Sequence, residues 1–418
     1  MSDAAAASGF PRLTYLRIKN YRALRDVELR DLTPLTVFIG PNGSGKSTVL
    51  DALAFLAEAV SGNLQQAWQD RNRFAGMRTR ASEGPIEFEV GLNSELGNIR
   101  YYLHIDGDDN KLTVPEEGFY LPDGRIFGEG KLFKTFTSDK EGFTGLTSDI
   151  VFSDHDEEGR EKPSFNKRMY LGARDISVLG YAFAYNLKIS PYAHAIKNLI
   201  ETYRYIHLTD DHLKGYSDAG PREKLSANGD NLPNVLYYLH TKHPEALARI
   251  TAQLRRWVPG LADIVTEITS DERLLLRFKD ASFEKPLPAQ YMSEGTMRLA
   301  ALLTLLYEPN ATGLLGLEEP ENELHPRLLP RLAEELIKVT ETRQLLVATH
   351  SPFLLDALEP EQVWILDRGA DGYTQATRTA DIPQVKELVE DGSPLGYLWT
   401  SNFFRLGDPL APRTSAAQ

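Results

Sequence analysis

The chain has no cysteine among its 418 residues. That excludes disulfides, thiolate nucleophiles and cysteine-ligated metal centres, and a cytoplasmic setting is the simplest one compatible with it. It has no long apolar run either. The greasiest stretch, LAALLTLLY from Leu299 to Tyr307, is about half of what a membrane-spanning helix needs. It is expected as a buried helix, and no membrane partner is implied. The opening MSDAAAASGFPR lacks the basic and hydrophobic regions of a secretory signal. Residues 1–12 and the closing APRTSAAQ read as frayed tails. Positive charge is not in surplus: a net charge of −13 argues against a generally basic, nucleic-acid-coating surface, without removing a local basic groove. Neither an internal repeat nor a sustained heptad run occurs, so a solenoid or long coiled-coil arm is not expected.

What is present is the composition of a globular protein, 42% hydrophobic and 25% charged, with length for two or three domains' worth of core. LTYLRIKNYRALRDVEL (13–29) alternates like two strands around a turn, and LTVFIG (35–40) is a short buried strand. Helical periodicity follows from Ser47 to about Val60, and PIEFEVGL and IRYYLHI look like an antiparallel pair. From Leu112 to Asn186 the chain reads as irregular loops and hairpins. Helices return at 192–203 and 231–258, the latter split at His243–Pro244. Strands DIVTEITS and RLLLRFK come next. Beyond them helices and strands alternate: helix 296–307, strand GLLGL, helix RLLPRLAEELIKVT, strand QLLVATH, helix SPFLLDAL and strand QVWIL. Such alternation predicts a parallel α/β sheet.

GPNGSGKST (40–48) follows a strand and opens a helix, the context in which G-x-x-x-x-G-K-[ST] wraps phosphates. Gly40, Asn42, Gly43, Gly45 and Thr48 lie in this stretch. The glycines let backbone N–H groups approach an anion at a helix N-terminus. Lys46 would neutralise the β- and γ-phosphates of ATP and Ser47 would ligate Mg²⁺. LLGLEEPE (314–321) ends an apolar strand in Glu318 and Glu319. Strand C-termini face the ligand crevice of a parallel sheet. Glu318 would hold the Mg²⁺ and Glu319 would orient or deprotonate the attacking water. In LLVATHSP (345–352), His350 follows another buried strand, within expected reach of a γ-phosphate oxygen or the lytic water.

YMSEGTMRL (291–299) admits two readings. Ser293 is a natural helix N-cap. That capping role gives no reason for Gly295, since glycine costs about 1 kcal/mol inside a helix; an anion site at the helix start explains both residues. Three other stretches read more plainly. HLTDDH (207–212) has metal-ligand residue types without a completing cluster and reads as a solvated loop. HIDGDDN (104–110) imitates a nuclease acidic pair but reads as a tight hairpin turn. RNRFAGMRTR (71–80), with four arginines, reads as a solvated face and is the first candidate for a nucleic-acid or partner contact.

Taken in order, GPNGSGKST, SEGTMR, EEPENELHP and ATHSP resemble the head of ABC-class ATPases. More narrowly they are similar to the SMC/RecF-like branch and to the OLD family with its stand-alone prokaryotic relatives. LRIKNYRAL resembles the opening strand pair of that branch. The resemblance covers residues 13–105 and 262–370. It implies that Ser293 and Gly295 contact the γ-phosphate bound by Lys46 of a second copy. It further implies that Asn322 lies on the loop crossing that dimer interface, and that Arg22 lies close to the phosphates. Glu318 departs from the family's commoner aspartate. No spacing rule selects the Q-loop glutamine among Gln65, Gln66 and Gln69.

The expected fold is therefore an α/β P-loop NTPase of ABC-ATPase-head type, a mixed sheet with an antiparallel β subdomain and a large insertion. Residues 13–110 and 261–380 are expected as its two lobes, 111–260 as an inserted lid or arm, and 381–418 as a docking tail anchored by Trp399, Phe403 and Phe404. Few residues follow His350, so no nuclease domain is expected beyond the closing strand. The expected function is an ATP-dependent head-to-head homodimer switch acting on a separate effector in antiphage defence or DNA maintenance; the same sequence admits a higher oligomer. A DNA-binding recombination or repair clamp is the alternative.

Overall fold

A computed structural model describes residues 10–94, 97–120, 191–214, 217–218 and 220–407, with five short strands within 133–171. The N-terminal part holds β1 (Arg12–Tyr21), β2 (Leu24–Arg30), β3 (Leu35–Ile39), α1 (Lys46–Glu58), α2 (Leu64–Asp70), α3 (Arg73–Met77), β4 (Ile86–Ser94), β5 (Gly97–Asp108) and β6 (Lys111–Tyr120). The short strands β7–β11 are Phe133–Thr137, Thr144–Ser148, Phe152–His155, Glu161–Ser164 and Arg168–Leu171. Next come α4 (Pro191–Glu201), β12 (Arg204–Ile206), α5 (Asp210–Leu213), β13 (Ser217–Asp218), α6 (Leu232–Lys242), α7 (Pro244–Trp257), β14 (Leu261–Ile268), β15 (Arg273–Asp280) and β16 (Leu287–Pro288). The C-terminal part holds α8 (Glu294–Leu306), β17 (Gly313–Glu318), α9 (Leu329–Val339), β18 (Arg343–Thr349), α10 (Pro352–Leu355), β19 (Val363–Arg368), β20 (Thr374–Arg378), α11 (Val385–Glu390) and α12 (Leu395–Thr400).

A six-stranded sheet in the order β12-β17-β18-β3-β19-β20 lies at the centre. All its pairings are parallel except β19 with β20. Both faces are covered, which is why its strands read as near-continuous apolar runs. Alternate residues serve the two faces. Phe38, Leu346, Ala348, Leu314 and Leu366 pack with α1 and the antiparallel sheet β2-β1-β4-β5-β6. Leu35, Val37, Ile39, Leu317, Leu345, Val347 and Ile365 pack with α6 to α9. The α/β fold with an antiparallel β subdomain is the one the sequence predicts.

Buried Gln344 ties three chain segments together. Its Oε1 accepts from Leu13 N at 2.7 Å, and its Nε2 donates to the carbonyls of Leu13 (2.8 Å) and Thr33 (3.0 Å). The start of β1, the turn before β3 and the start of β18 are thereby held together.

Residues 111–120, at the start of the stretch read as irregular loops and hairpins, form β6, which pairs with β5 across the tight turn expected within 104–110, where Asp108 Oδ1 accepts from Asn110 N and Lys111 N. Most of the remaining stretch to Asn186 lies outside the described residues. Two expectations change. Residues 191–206, expected within the inserted arm, supply α4 against α1 and the β12 edge of the central sheet. The expected docking tail packs on its own chain as far as it is described: Val385, Leu395, Leu398 and Phe404 are buried in the core, with Trp399 packed against it. Phe403 stays partly exposed.

Gln344→Leu removes the side-chain partner of the Leu13 amide and carbonyl in the interior, at about 1–3 kcal/mol for each unsatisfied group, while the Thr33 carbonyl keeps the Thr36 hydroxyl. Denaturant unfolding should show a loss of about 2 kcal/mol or more; an unchanged midpoint would contradict this role for the side chain.

Candidate nucleotide-binding site

The loop between β3 and α1 is pressed against the β19–β20 hairpin. A Cβ on Gly40 would stand 1.9 Å from the Leu366 carbonyl oxygen. Gly45 has φ +107°, and a Cβ there would meet Thr374 Oγ1 at 2.5 Å. Only glycine fits at either position. Arg368 Nε donates to the Gly43 carbonyl at 2.7 Å and Thr374 Oγ1 to the Ser44 carbonyl at 2.7 Å, so the cradle is fixed from behind. Asn42 and Gly43 are exposed at its crown, while Thr48 follows Ser47 in the first turn of α1. Lys46 Nζ donates to the carbonyls of Gly40 (2.8 Å) and Pro41 (3.0 Å). Burial brings its pKa down to about 8, while Glu319, Glu318 and Glu321 pull against that shift.

Because β3, β17 and β18 run parallel, their C-terminal residues share one edge of the sheet. Ser47 Oγ donates to Glu318 Oε1. Glu318 Oε2 accepts from Tyr205 OH and from His207 Nδ1, the latter at 2.7 Å. Burial alone would raise the Glu318 pKa; the hydrogen bonds from Ser47, Tyr205 and His207 outweigh it and hold the carboxyl below its ordinary value. Glu319 sits in the left-handed region at φ 43°, with its amide donating to the Ala348 carbonyl at 2.8 Å. Its Oε1 lies 3.1 Å from His350 Nε2, and its Oε2 accepts from Asn322 Nδ2 at 2.8 Å. Buried Glu321 accepts at Oε1 from Thr349 Oγ1 and from His350 N, the latter at 2.9 Å. It thereby fixes the turn that carries His350. Burial, reinforced by nearby Lys46, holds the His350 pKa below its ordinary value despite Glu319 and Glu321.

The structure thus brings Lys46, Ser47, Glu318, Glu319, Asn322 and His350 into one contiguous site. Tyr205, His207 and Glu321 escape a reading of the sequence alone. His207 lies in the stretch read as a solvated loop; its neighbour Glu318 is fixed by strand register, which no local spacing displays.

Ser293 caps α8, its Oγ accepting from Thr296 N at 3.2 Å. Gly295 has a structural reason within its own chain: a Cβ there would stand 2.5 Å from the Glu323 carbonyl oxygen. The capped-helix reading therefore does account for the glycine, once the loop after Glu321 is in place. Arg22 NH1 pairs with Asp51 at 2.8 Å, about a turn and a half along α1 from Lys46. The arginine-rich stretch turns inward at Arg71 and Arg78, while Arg73 and Arg80 are exposed. Arg71 pairs with Asp51 and Glu58, Arg73 donates to the Asp109 carbonyl, and Arg78 pairs with Asp106. Gln66 donates to Asp70, which gives it no distinguishing role as the Q-loop residue.

These groups fit a magnesium nucleotide. Among the described residues no cluster of three or more carboxylate or histidine ligands forms a metal cage. Mg²⁺ needs none, since it takes one or two protein oxygens and completes its shell with phosphates and water. The Ser47–Glu318 pair supplies that set beside a preformed phosphate cradle.

Residues 35–356 match the family model described as "AAA domain, putative AbiEii toxin, Type IV TA system". The chain belongs to that family. It is a P-loop ATPase with an ABC-type head, related to the SMC, RecF and OLD proteins. Over 106 residues it is 36% identical to the OLD nuclease of Thermus scotoductus, covering 25% of this chain and 20% of the relative. Identity is 32% over 123 residues to the DNA replication and repair protein RecF of Erwinia tasmaniensis, 28% of this chain and 33% of the relative. The Smc chromosome partition protein of Methanocaldococcus jannaschii is 26% identical over 102 residues, 24% of this chain but 8% of that protein. The matches thus span a third or less of these relatives' lengths. A crystal structure of an Smc head bound to the winged-helix domain of ScpA matches with a TM-score of 0.51 at 16% identity, covering 87% of this chain and 97% of that one. This supports the head fold. Among the described residues no helix is long and apolar enough to cross a membrane.

With its folded pKa depressed, His350 is neutral through the neutral range and gains its proton only below the ordinary histidine midpoint of about 6.5. A titration of its ring followed by NMR should give a midpoint below that value, and Lys46→Met should move it upward. An upward shift in the unmodified chain, or a downward one in the variant, would contradict the burial and charge assigned here.

Proposed function

We propose that this ATPase binds Mg-ATP in the cradle of residues 40–48, closes head to head on a second copy around two nucleotides, and hydrolyses them slowly. The observation that carries this reading is the convergence of Lys46, Glu318, Glu319 and His350 at the C-terminal ends of β3, β17 and β18. Lys46 and the loop N–H groups take the charge of the β- and γ-phosphates. Ser47 and Glu318 would hold the Mg²⁺, which neutralises phosphate charge when bound. Glu319, held by Asn322 and His350 on different oxygens, keeps lone pairs free to orient a water and accept its proton. Neutral His350 has a single N–H, held on Nε2 by Glu319; it reaches the transferred phosphate as a donor by exchanging that contact. Ser293 and Gly295 complete the partner's site from the start of α8. That role rests on the family resemblance, since the glycine also has its reason within the chain.

ATP then acts as a switch whose closed state is favoured by the nucleotide and released by hydrolysis. A cytoplasmic effector, separate from this chain and nuclease-like, is the proposed target, in antiphage defence or DNA maintenance; the toxin named in the family description and the OLD nuclease relative support an effector of that kind. Direct DNA clamping is the second reading, supported by the RecF and Smc relatives. Of the arginine-rich stretch, Arg71 and Arg78 are held in ion pairs, while exposed Arg73 and Arg80 are the ones such a contact would use. DNA-stimulated hydrolysis that falls steeply with salt would favour the clamp.

Glu319→Gln should retain ATP binding and lose turnover by about 100-fold or more. Ser293→Arg should likewise bind ATP and fail to turn it over. Full hydrolysis by the serine variant would rule out its action across an interface.

A further inference from the structure

Glu318 has three neighbours at its carboxylate, and two of them, Tyr205 on β12 and His207 directly after it, come from an edge strand that a phosphate loop does not require. β12 pairs parallel to β17 with Arg204 opposite Leu315, Tyr205 opposite Gly316 and Ile206 opposite Leu317. That register carries His207 to the level of Glu318. Alternation sends Tyr203, Tyr205 and His207 to one face while Ile206 enters the opposite core. The strand is locked in place: Tyr203 OH donates to the Leu50 carbonyl of α1 at 2.9 Å, and a Cβ on Gly316 would stand 2.1 Å from that hydroxyl. The placement of Tyr205 and His207 is therefore built in by packing on both sides.

A carboxylate only accepts. His207 must accordingly carry its proton on Nδ1, and Tyr205 must donate its hydroxyl hydrogen. Both donors reach Oε2, whereas Ser47 alone reaches Oε1. A glutamate's last torsion is broad and turns easily; two donors on one oxygen stop it turning. His207 is half exposed, so it does not serve to fill the core.

We propose that Tyr205 and His207 are positioning residues that clamp Oε2 of Glu318 and leave Oε1, with Ser47 Oγ, facing the divalent cation of the bound nucleotide. This rests on the reading of Ser47 and Glu318 as the Mg²⁺ pair. Partners that orient a metal ligand in this way change metal affinity by about 10–100-fold when removed.

The test is Mn²⁺ binding to the full chain in the presence of ADP, followed by the loss of the free-ion EPR signal. His207→Ala and Tyr205→Phe should each weaken Mn²⁺ binding, and the double variant should weaken it by about 10-fold or more. His207→Asn, which restores a donor near the Nδ1 position, should recover most of the loss. ADP binding in EDTA and the thermal midpoint should be unchanged, which a merely structural role would not allow. Tyr205→Phe keeps the ring and covers the case in which truncation at 207 disturbs the strand. Wild-type Mn²⁺ affinity in the double variant, with Glu318→Gln and Ser47→Ala impaired, would overturn the clamp alone. Wild-type affinity in those last two variants as well would overturn the metal-pair reading beneath it.

Discussion

Parallel pairing of β12, β17, β18 and β3 forces four strand ends onto one edge of the central sheet, and the chemistry of the site follows from that constraint. The four residues or loops that follow these strands are His207, Glu319, His350 and the phosphate loop, drawn from positions scattered over more than three hundred residues. No side chain at the site has to reach far. Each inherits its place from a backbone register, and the register is secured by burying both faces of the sheet. Gln344, at the far end of β18, secures the same register through main-chain groups of two other segments.

Electrostatics explains why the site calls for a cation as well as a nucleotide. Three carboxylates, Glu318, Glu319 and Glu321, stand around one ammonium, Lys46, and His350 is held neutral. A polyphosphate entering that environment meets more negative charge than Lys46 offsets. Backbone N–H groups of the loop and the helix start contribute part of the balance. A divalent ion held by Ser47 and Glu318, as proposed, would contribute the rest. Separate duties for the glutamates follow from their surroundings: Glu318 is tethered to hydroxyl and imidazole donors, Glu319 faces Asn322 and His350, and Glu321 is buried in the turn below.

How much of this was legible depended on sequence distance. The phosphate loop is a local pattern, so its residues and its strand-loop-helix context could be read directly. Glu318, Glu319 and His350 were readable because a buried strand ending in a polar turn is also local. Tyr205 and His207 were not, because their meeting with Glu318 spans 113 and 111 residues and depends on an edge strand of three residues. The intrachain reason for Gly295 was hidden by the same distance: the carbonyl that excludes a side chain there comes from Glu323. Arg71 and Arg78 looked solvated because their partners, Asp51, Glu58 and Asp106, lie on other elements, whereas Arg73 and Arg80 are exposed as the sequence suggests. Phe404 and Trp399 looked like anchors for another protein; the surface they meet belongs to their own chain.

The central claim is that nucleotide brings two heads together, so that α8 of one faces the loop of the other. The most direct measurement is the solution mass of Glu319→Gln by light scattering, with and without Mg-ATP. The account predicts a single-chain mass without nucleotide and twice that mass with it. A single-chain mass in both conditions would contradict it, and the start of α8 would then be a capped helix with no part in a neighbour's site.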